Sequence, residues 1–324
     1  MMDLKQIMFK ELQQSTIMQI KRIVSFLPSA TELIYEFGKE DLLFGVTHEC
    51  KYPDEAKGKL QVISSEIDSE ILSSNEINNR TCQLLTEGKN IFNLNEKNLI
   101  EANPDLIMSQ GICEVCAAYT NQVNRALEIL PRKPQIYTMD PHNLKEILLT
   151  VTKFGEILQE SERADKIRKS LEKHISEITK TIHTEKPKVL AIEWIEPFFT
   201  AGHWIPEMIE CAGGVNLISK KEERSRKISF DEISESDPDI IILMPCGFNV
   251  ERTIKEYNKI LKNNKEWNQL RAIKSKNLFV VDADSFFSKP SIRIITGLQI
   301  LAKILHPEKF EKVPTPKNSF CCLF

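Results

Sequence analysis

Residues 142 to 186 contain no proline and a single glycine, Gly155. Apolar residues recur there at Leu144, Ile147, Leu148, Val151, Phe154, Ile157, Leu158, Ile167, Leu171, Ile175, Ile178 and Ile182. Steps of three and four residues place them on one face of an amphipathic helix. One helix of roughly 40 residues would be about 60 Å long, too long for one compact domain. The segment therefore reads as a rigid spine between two folded units, with a break into two helices near Gly155 as the alternative. It divides the chain into an amino-terminal extension (1–20), a first lobe (21–141), the connecting helix (142–186), a second lobe (187–307) and a tail (308–324).

Both flanking units alternate short β-branched runs with helical stretches, the pattern of a parallel, helix-covered sheet. In the first, strands are expected at 22–27, 42–46, 61–64, 105–109 and 135–139. Ser29 and Glu32 read as a capping box for a helix ending at Gly38. In the second, strands are expected at 188–194, 239–244 and 277–284, with helices over 205–212 and about 292–305. An internal echo links them. Glu101 to Ile107 and Glu235 to Ile241 both read E-x-x-P-D-[LI]-I, and each strand runs into a cysteine-bearing loop, at Cys113 and Cys246. Two such segments in register imply two similar lobes facing each other. The fold class is thus α/β: two Rossmann-like lobes with parallel sheets, joined by one long helix.

A net charge of −3 from 43 basic and 46 acidic residues gives no electrostatic reason to expect nucleic acid or an anionic membrane as partner. Charged and amide residues interrupt every apolar run in residues 1 to 20, so no signal peptide is read there. No stretch is long and apolar enough to span a bilayer. A cytoplasmic location is the resulting expectation, with the cell envelope as the alternative, and the eight cysteines are expected as thiols. Cys82 and Cys211 sit at apolar helical spacing and read as core thiols. The terminal CCLF matches a prenylation box, yet after Pro314 and Pro316 it reads as a disordered, thiol-bearing tail.

Open α/β sheets bind ligands outside the carboxyl ends of their strands, and the chemically rich segments fall there. His48-Glu49-Cys50 follows the second strand. Cys113 and Cys116 form a C-x-x-C after the 105–109 strand; no second C-x-x-C completes a structural zinc site. Glu193 and Trp194 end the 188–194 strand, His203 and Trp204 follow ten residues on, and Phe286 and Phe287 follow the last strand. Together with Phe198 and Phe199 these aromatics offer a wide apolar surface with polar handles, suited to a flat ring. Glycine-rich phosphate motifs and a Ser/His/Asp elbow are absent. His142, His174, His183 and His306 are assigned no role.

The stretch RIVSFLPSATELIYEFGKEDLLFGVTHECKYPDEA, the AGHWIPEMIECAGGVN segment and the FSKPSIR loop resemble the substrate-binding proteins for vitamin B12 and iron chelates. The resemblance spans about Arg22 to Leu305. The set HEC, CEVC, EW and AGHW is similar to a branch described as cobalamin-binding. The resemblance implies two lobes on one long helix, a non-catalytic role, and cobalamin or another corrinoid in the cleft, with haem or an iron chelate as alternative. The contact set is then His48, Glu49, Cys50, Cys113, Cys116, Glu193, Trp194, His203, Trp204, Cys246, Phe286 and Phe287. His203, His48, Cys113 and Cys116 are the candidate metal ligands. Importer-coupled members carry a glutamate on each lobe that docks onto the membrane subunits. Glu251 matches in the second lobe, while the first-lobe helix beginning Tyr119-Thr120-Asn121-Gln122 has none. The rival readings are the substrate-binding component of an ABC importer, and a cytosolic metal- or thiol-dependent enzyme using His48, Cys50, Cys113, Cys116 and His203.

Overall fold

The computed structural model describes residues 20–111, 118–181 and 186–324. The first lobe is a six-stranded sheet in the order β4-β3-β2-β1-β5-β6. Its strands are β1 (Ile23–Ser25), β2 (Leu43–Thr47), β3 (Leu60–Ser65), β4 (Phe92–Leu94), β5 (Leu106–Gln110) and β6 (Gln135–Met139). All pair in parallel except β3 with β4. In the second lobe β7 (Lys188–Trp194) lies between β9 (Val215–Asn216) and β10 (Ile240–Leu243), and β11 (Leu278–Val281) follows in parallel. β8 (Phe199–Thr200) and β12 (Phe320–Cys322) add antiparallel edges. In each lobe the first strand therefore sits inside the sheet, with its successor on one side and a later strand on the other. That reversal opens a crevice at the strand ends.

Helices cover both sheets: α1 (Pro28–Glu36), α2 (Ser74–Thr86), α3 (Glu96–Ala102) and α4 (Ala118–Ile129) in the first lobe. In the second lie α7 (Ile205–Cys211), α8 (Phe230–Ser236), α9 (Val250–Ile260) and α10 (Ile294–Leu305). Residues Ile240 to Leu243 of β10 are all buried, as expected of a parallel strand covered on both faces. The helix over 28–36 forms, but without the expected capping box. Its cap is Leu27, with no side-chain hydrogen bond. Ser29 is buried, and Glu32 turns across to Arg293 of the other lobe. Capping boxes form instead at Ser73/Glu76 and Ser229/Glu232.

The repeated E-x-x-P-D motif is one structural device used twice. Asn103 ends α3 and Asp237 ends α8, both left-handed at φ 42°, which terminates each helix. Two residues on, Asp105 accepts a hydrogen bond from the Arg22 N–H at 3.1 Å. Asp239 accepts one from the Lys188 N–H at 2.7 Å. This carboxylate ties the head of β5 to that of β1 in the first lobe and the head of β10 to that of β7 in the second. An arginine neutralises each, Arg132 at Asp105 and Arg271 at Asp239.

The spine is not the single 40-residue helix but the alternative, two helices with a break near Gly155. It is a hairpin of α5 (Leu144–Ile157) and α6 (Ser161–Thr181), turned by Gln159 at φ 58°. Both helices cross between the lobes. Leu144 and Ile147 of α5 pack into the second lobe's core, Val151 and Phe154 into the first. On α6, Ala164 packs into the first core and Ile178 into the second. The 21 residues of α6 supply about 32 Å of strut. The apolar period could not reveal the fold-back, because both helices present the same stripe to the same two cores. Two further expectations fail. The tail is ordered: Phe320–Cys322 forms β12, paired with β11, and Pro307–Phe310 is helical. Cys82 is exposed on α2, while Cys211 is half-buried against the second core.

A two-helix strut resists bending more than paired loops do. Small-angle scattering of the ligand-free and ligand-loaded chain is expected to give nearly superimposable profiles. A marked compaction on loading would contradict the rigid strut.

Candidate functional site

The carboxyl ends of β2, β5 and β6 meet those of β7, β10 and β11 across the crevice. Two chambers lie there. The smaller, about 130 Å³, is lined by Gln110 from the first lobe and by Glu193, His203, Trp204, Cys246 and Phe287 from the second, among others. The larger, about 440 Å³, is lined by His48 and Glu49 with Gly247 and Asp284 opposite. Cys246 and Gly247, adjacent in sequence, border one chamber each.

His203 is set by its backbone. It lies at φ 54°, donates its N–H to the Glu223 carbonyl at 2.7 Å and accepts from the Glu222 N–H at 3.0 Å. Gly202 before it packs so closely that a Cβ would lie 2.3 Å from the Ser225 nitrogen; no other residue fits without moving the loop. The Trp204 indole N–H donates to the Phe287 carbonyl at 3.0 Å, which seats the chamber's aromatic wall. The Glu193 carboxylate accepts from the Gly202 N–H at 3.2 Å. Burial raises the pKa of Glu193, against the lowering pull of the Ser225 hydroxyl and the Gly202 N–H.

Burial holds the His203 imidazole down at about 4, with His142 and Arg224 nearby pushing the same way and Asp140 opposing. The ring is therefore neutral at pH 7, the form that binds metal. Its Nδ1 is buried with no hydrogen-bond partner. A ring NMR titration should find His203 unprotonated down to about pH 4, whereas a midpoint near 6.5 would contradict the burial. Folding stability responds with a definite sign. The unfolded imidazole takes up a proton that the folded one refuses, so this residue's contribution falls as pH drops from about 6.5 towards 4.

Several expected contacts lie elsewhere. Cys50 is 3% exposed in the first lobe's core, its Sγ 3.1 Å from the Thr31 hydroxyl. The HEC triplet splits because neighbouring side chains diverge: His48 and Glu49 face the larger chamber and Cys50 the core. Phe286 is buried in the second lobe's core beneath the Arg293 guanidinium. Trp194 lines neither chamber; its indole N–H donates to the Ser74 carbonyl at 3.1 Å. His48 and His203 line different chambers, so these two candidate metal ligands are not brought together. Among the described residues no group of three or more His, Cys, Asp or Glu is placed to hold a metal ion. Cys113 and Cys116 lie outside the described residues.

The sequence reading missed the groups that join the lobes. Glu256 on α9, 7% exposed, accepts from the Ser74 N–H at the start of α2 at 2.7 Å. Arg252 donates to the Leu72 carbonyl at 2.8 Å. Arg293 pairs with Glu32 at 3.4 Å and lies over the Tyr52 ring. Burial raises the pKa of Glu32 despite Ser291 and Arg293. Glu256→Ala strands a buried helix-start N–H and should cost about 1–3 kcal/mol, read by denaturant unfolding. Unchanged stability would refute the cross-lobe contact. His142 was also missed. It follows β6 in Asp140-Pro141-His142, and the strand-end rule used for the other loops applies to it equally.

The periplasmic binding protein family profile matches residues 23–285. The chain is 23% identical over 301 residues to the uncharacterised ABC transporter substrate-binding lipoprotein YvrC of Bacillus subtilis (strain 168), covering 90% of this chain and 82% of that protein. The fold superimposes on periplasmic vitamin B12 binding protein BtuF of Vibrio cholerae with a TM-score of 0.64 at 18% identity, covering 91% of this chain and 99% of that one. Staphylococcus aureus IsdE complexed with haem superimposes with a TM-score of 0.65 at 17% identity, covering 88% and 98%.

Proposed function

From the premise that this chain belongs to the periplasmic binding protein family, we propose that it carries a metal chelate between its lobes as the substrate-binding component of an ABC importer. The family consists of binding proteins, not enzymes, which sets aside the metal- or thiol-dependent catalyst. The observation that carries the reading is the neutral, half-buried His203 with its unpartnered Nδ1 at the crevice. A neutral imidazole is a good axial ligand for cobalt or iron held in a flat ring. Trp204 and Phe287 supply apolar wall, and Cys246 and Glu193 supply polar edges. Cys113 and Cys116, which follow β5 in the sequence, are proposed to reach the same crevice, as is His48 from the neighbouring chamber.

Cobalamin or another corrinoid is the first ligand, on the sequence motifs and the likeness to a B12-binding fold. Haem is the second, on the likeness to a haem-binding fold.

The importer step rests on the YvrC likeness and on Glu251. This glutamate stands exposed in the first turn of α9, paired only with Lys255 one helical turn on among the contacts described, where an arginine-bearing permease could engage it. The matching first-lobe helix α4 offers Gln122 instead, buried and bonded to the Phe92 carbonyl, so docking would be one-sided. Among the described residues no helix is long and apolar enough to cross a membrane. Delivery to a permease requires the envelope, against the cytoplasmic expectation from residues 1 to 20. Cell fractionation tests it. Envelope recovery is expected, and exclusively cytosolic recovery would remove the importer step while leaving chelate binding standing.

A further inference from the structure

His142 lies between β6 and α5 and His203 lies before α7, and their rings pack against each other. The centroids are 5.6 Å apart and the planes are tilted by 36°. Both Nδ1 atoms are buried and have no hydrogen-bond partner. Two orphaned buried nitrogens on neighbouring rings need an explanation, and a shared cation supplies one. The other nitrogen of His142 is already committed: its Nε2 lies 3.3 Å from the Asp140 carboxylate. A carboxylate there holds the proton on Nε2 and leaves the lone pair on Nδ1. That is the arrangement that orients histidines towards metals. Two imidazoles bonded to one ion at about 2.0–2.1 Å place their centroids about 5–6 Å apart.

We propose that His142 and His203 form a two-imidazole site for a bare late first-row divalent cation, joining the connecting segment to the second lobe, with Asp140 as the positioning carboxylate. Imidazole pairs favour copper, nickel and zinc over magnesium or calcium. The remaining coordination positions are filled by water. The site does not depend on the chelate reading. It competes with it, because a cation on His203 takes the nitrogen a chelated metal would use.

The experiment uses the full chain stripped with a chelator and titrated with Ni²⁺ by calorimetry. One ion per chain is expected. His142→Ala, His142→Gln and His203→Ala should each weaken binding by at least about tenfold, and the surface substitution His174→Ala should leave it unchanged. Melting curves confirm that each variant is folded; the glutamine variant keeps the side-chain volume if the alanine variant melts early. Asp140→Asn should weaken binding less than either histidine loss. Saturating Ni²⁺ should in turn lower the affinity for cobalamin or haem. Absence of saturable 1:1 binding overturns the proposal, as does equal binding in the folded His142 and His203 variants. Ni²⁺ binding that leaves chelate affinity untouched also overturns it. A chain that takes up Ni²⁺ through both histidines but binds neither macrocycle sustains the site and removes the chelate reading instead.

Discussion

Replacing His203 with alanine is expected to weaken binding of the chelate by at least about tenfold, the scale on which metal-site side chains act, and to change the visible spectrum of the bound complex. The spectral change matters most. Loss of an apolar wall lowers affinity but leaves the axial ligand in place; loss of an axial imidazole moves the absorption bands. His203→Ala should leave folding intact, because the loop is held by backbone bonds to Glu222 and Glu223 and by the Gly202 contact with Ser225. A variant that binds with unchanged affinity and an unchanged spectrum would show that the chelate rests on ring stacking and cleft shape alone.

A large effect on the strut is expected at Gly155. Its missing side chain is what lets α5 and α6 meet: an added Cβ would lie 2.3 Å from the Cβ of Ala164, and both atoms belong to helix backbones that cannot rotate away. Gly155→Ala gains up to about 1 kcal/mol of helix propensity, yet overpacking of this kind costs about 1–3 kcal/mol, and here the clash should win. Pairing it with Ala164→Gly relieves the contact, so the double variant should be more stable than the two single effects sum to. Denaturant unfolding of the four chains measures the cycle. A Gly155→Ala chain at least as stable as the parent would mean that the helices are not in contact there. Because the strut joins both cores, the same substitution should also loosen the lobes relative to each other.

The architecture was legible because it is written in short-range patterns. The Pro-Asp echo marks the same helix stop and strand start in each lobe, and Asn103 and Asp237 adopt the same left-handed turn. Strand positions followed from β-branched runs buried on both faces. What the sequence concealed depends on long-range closure. The Gln159 turn leaves no trace in the apolar period. The edge strands β4, β8, β9 and β12 are two or three residues long, too short for alternation to register. The contacts between lobes join residues far apart in the chain, such as Ser74 with Glu256, and no local signal announces them.

The site was legible to the same extent. Strand-end loops bring Glu193, His203, Trp204, Cys246 and Phe287 to one chamber. The rule failed where neighbouring residues were treated as a unit. Cys50 points into the core, and Phe286 and Trp194 serve packing and the lobe interface.

The most direct test of the account is an absorption titration of the purified chain with cobalamin and, separately, with haem, set beside the His203→Ala variant. One chelate per chain, with bands that shift on binding and lose that shift in the variant, is the predicted result. Saturable binding of neither macrocycle by a folded parent chain would contradict it.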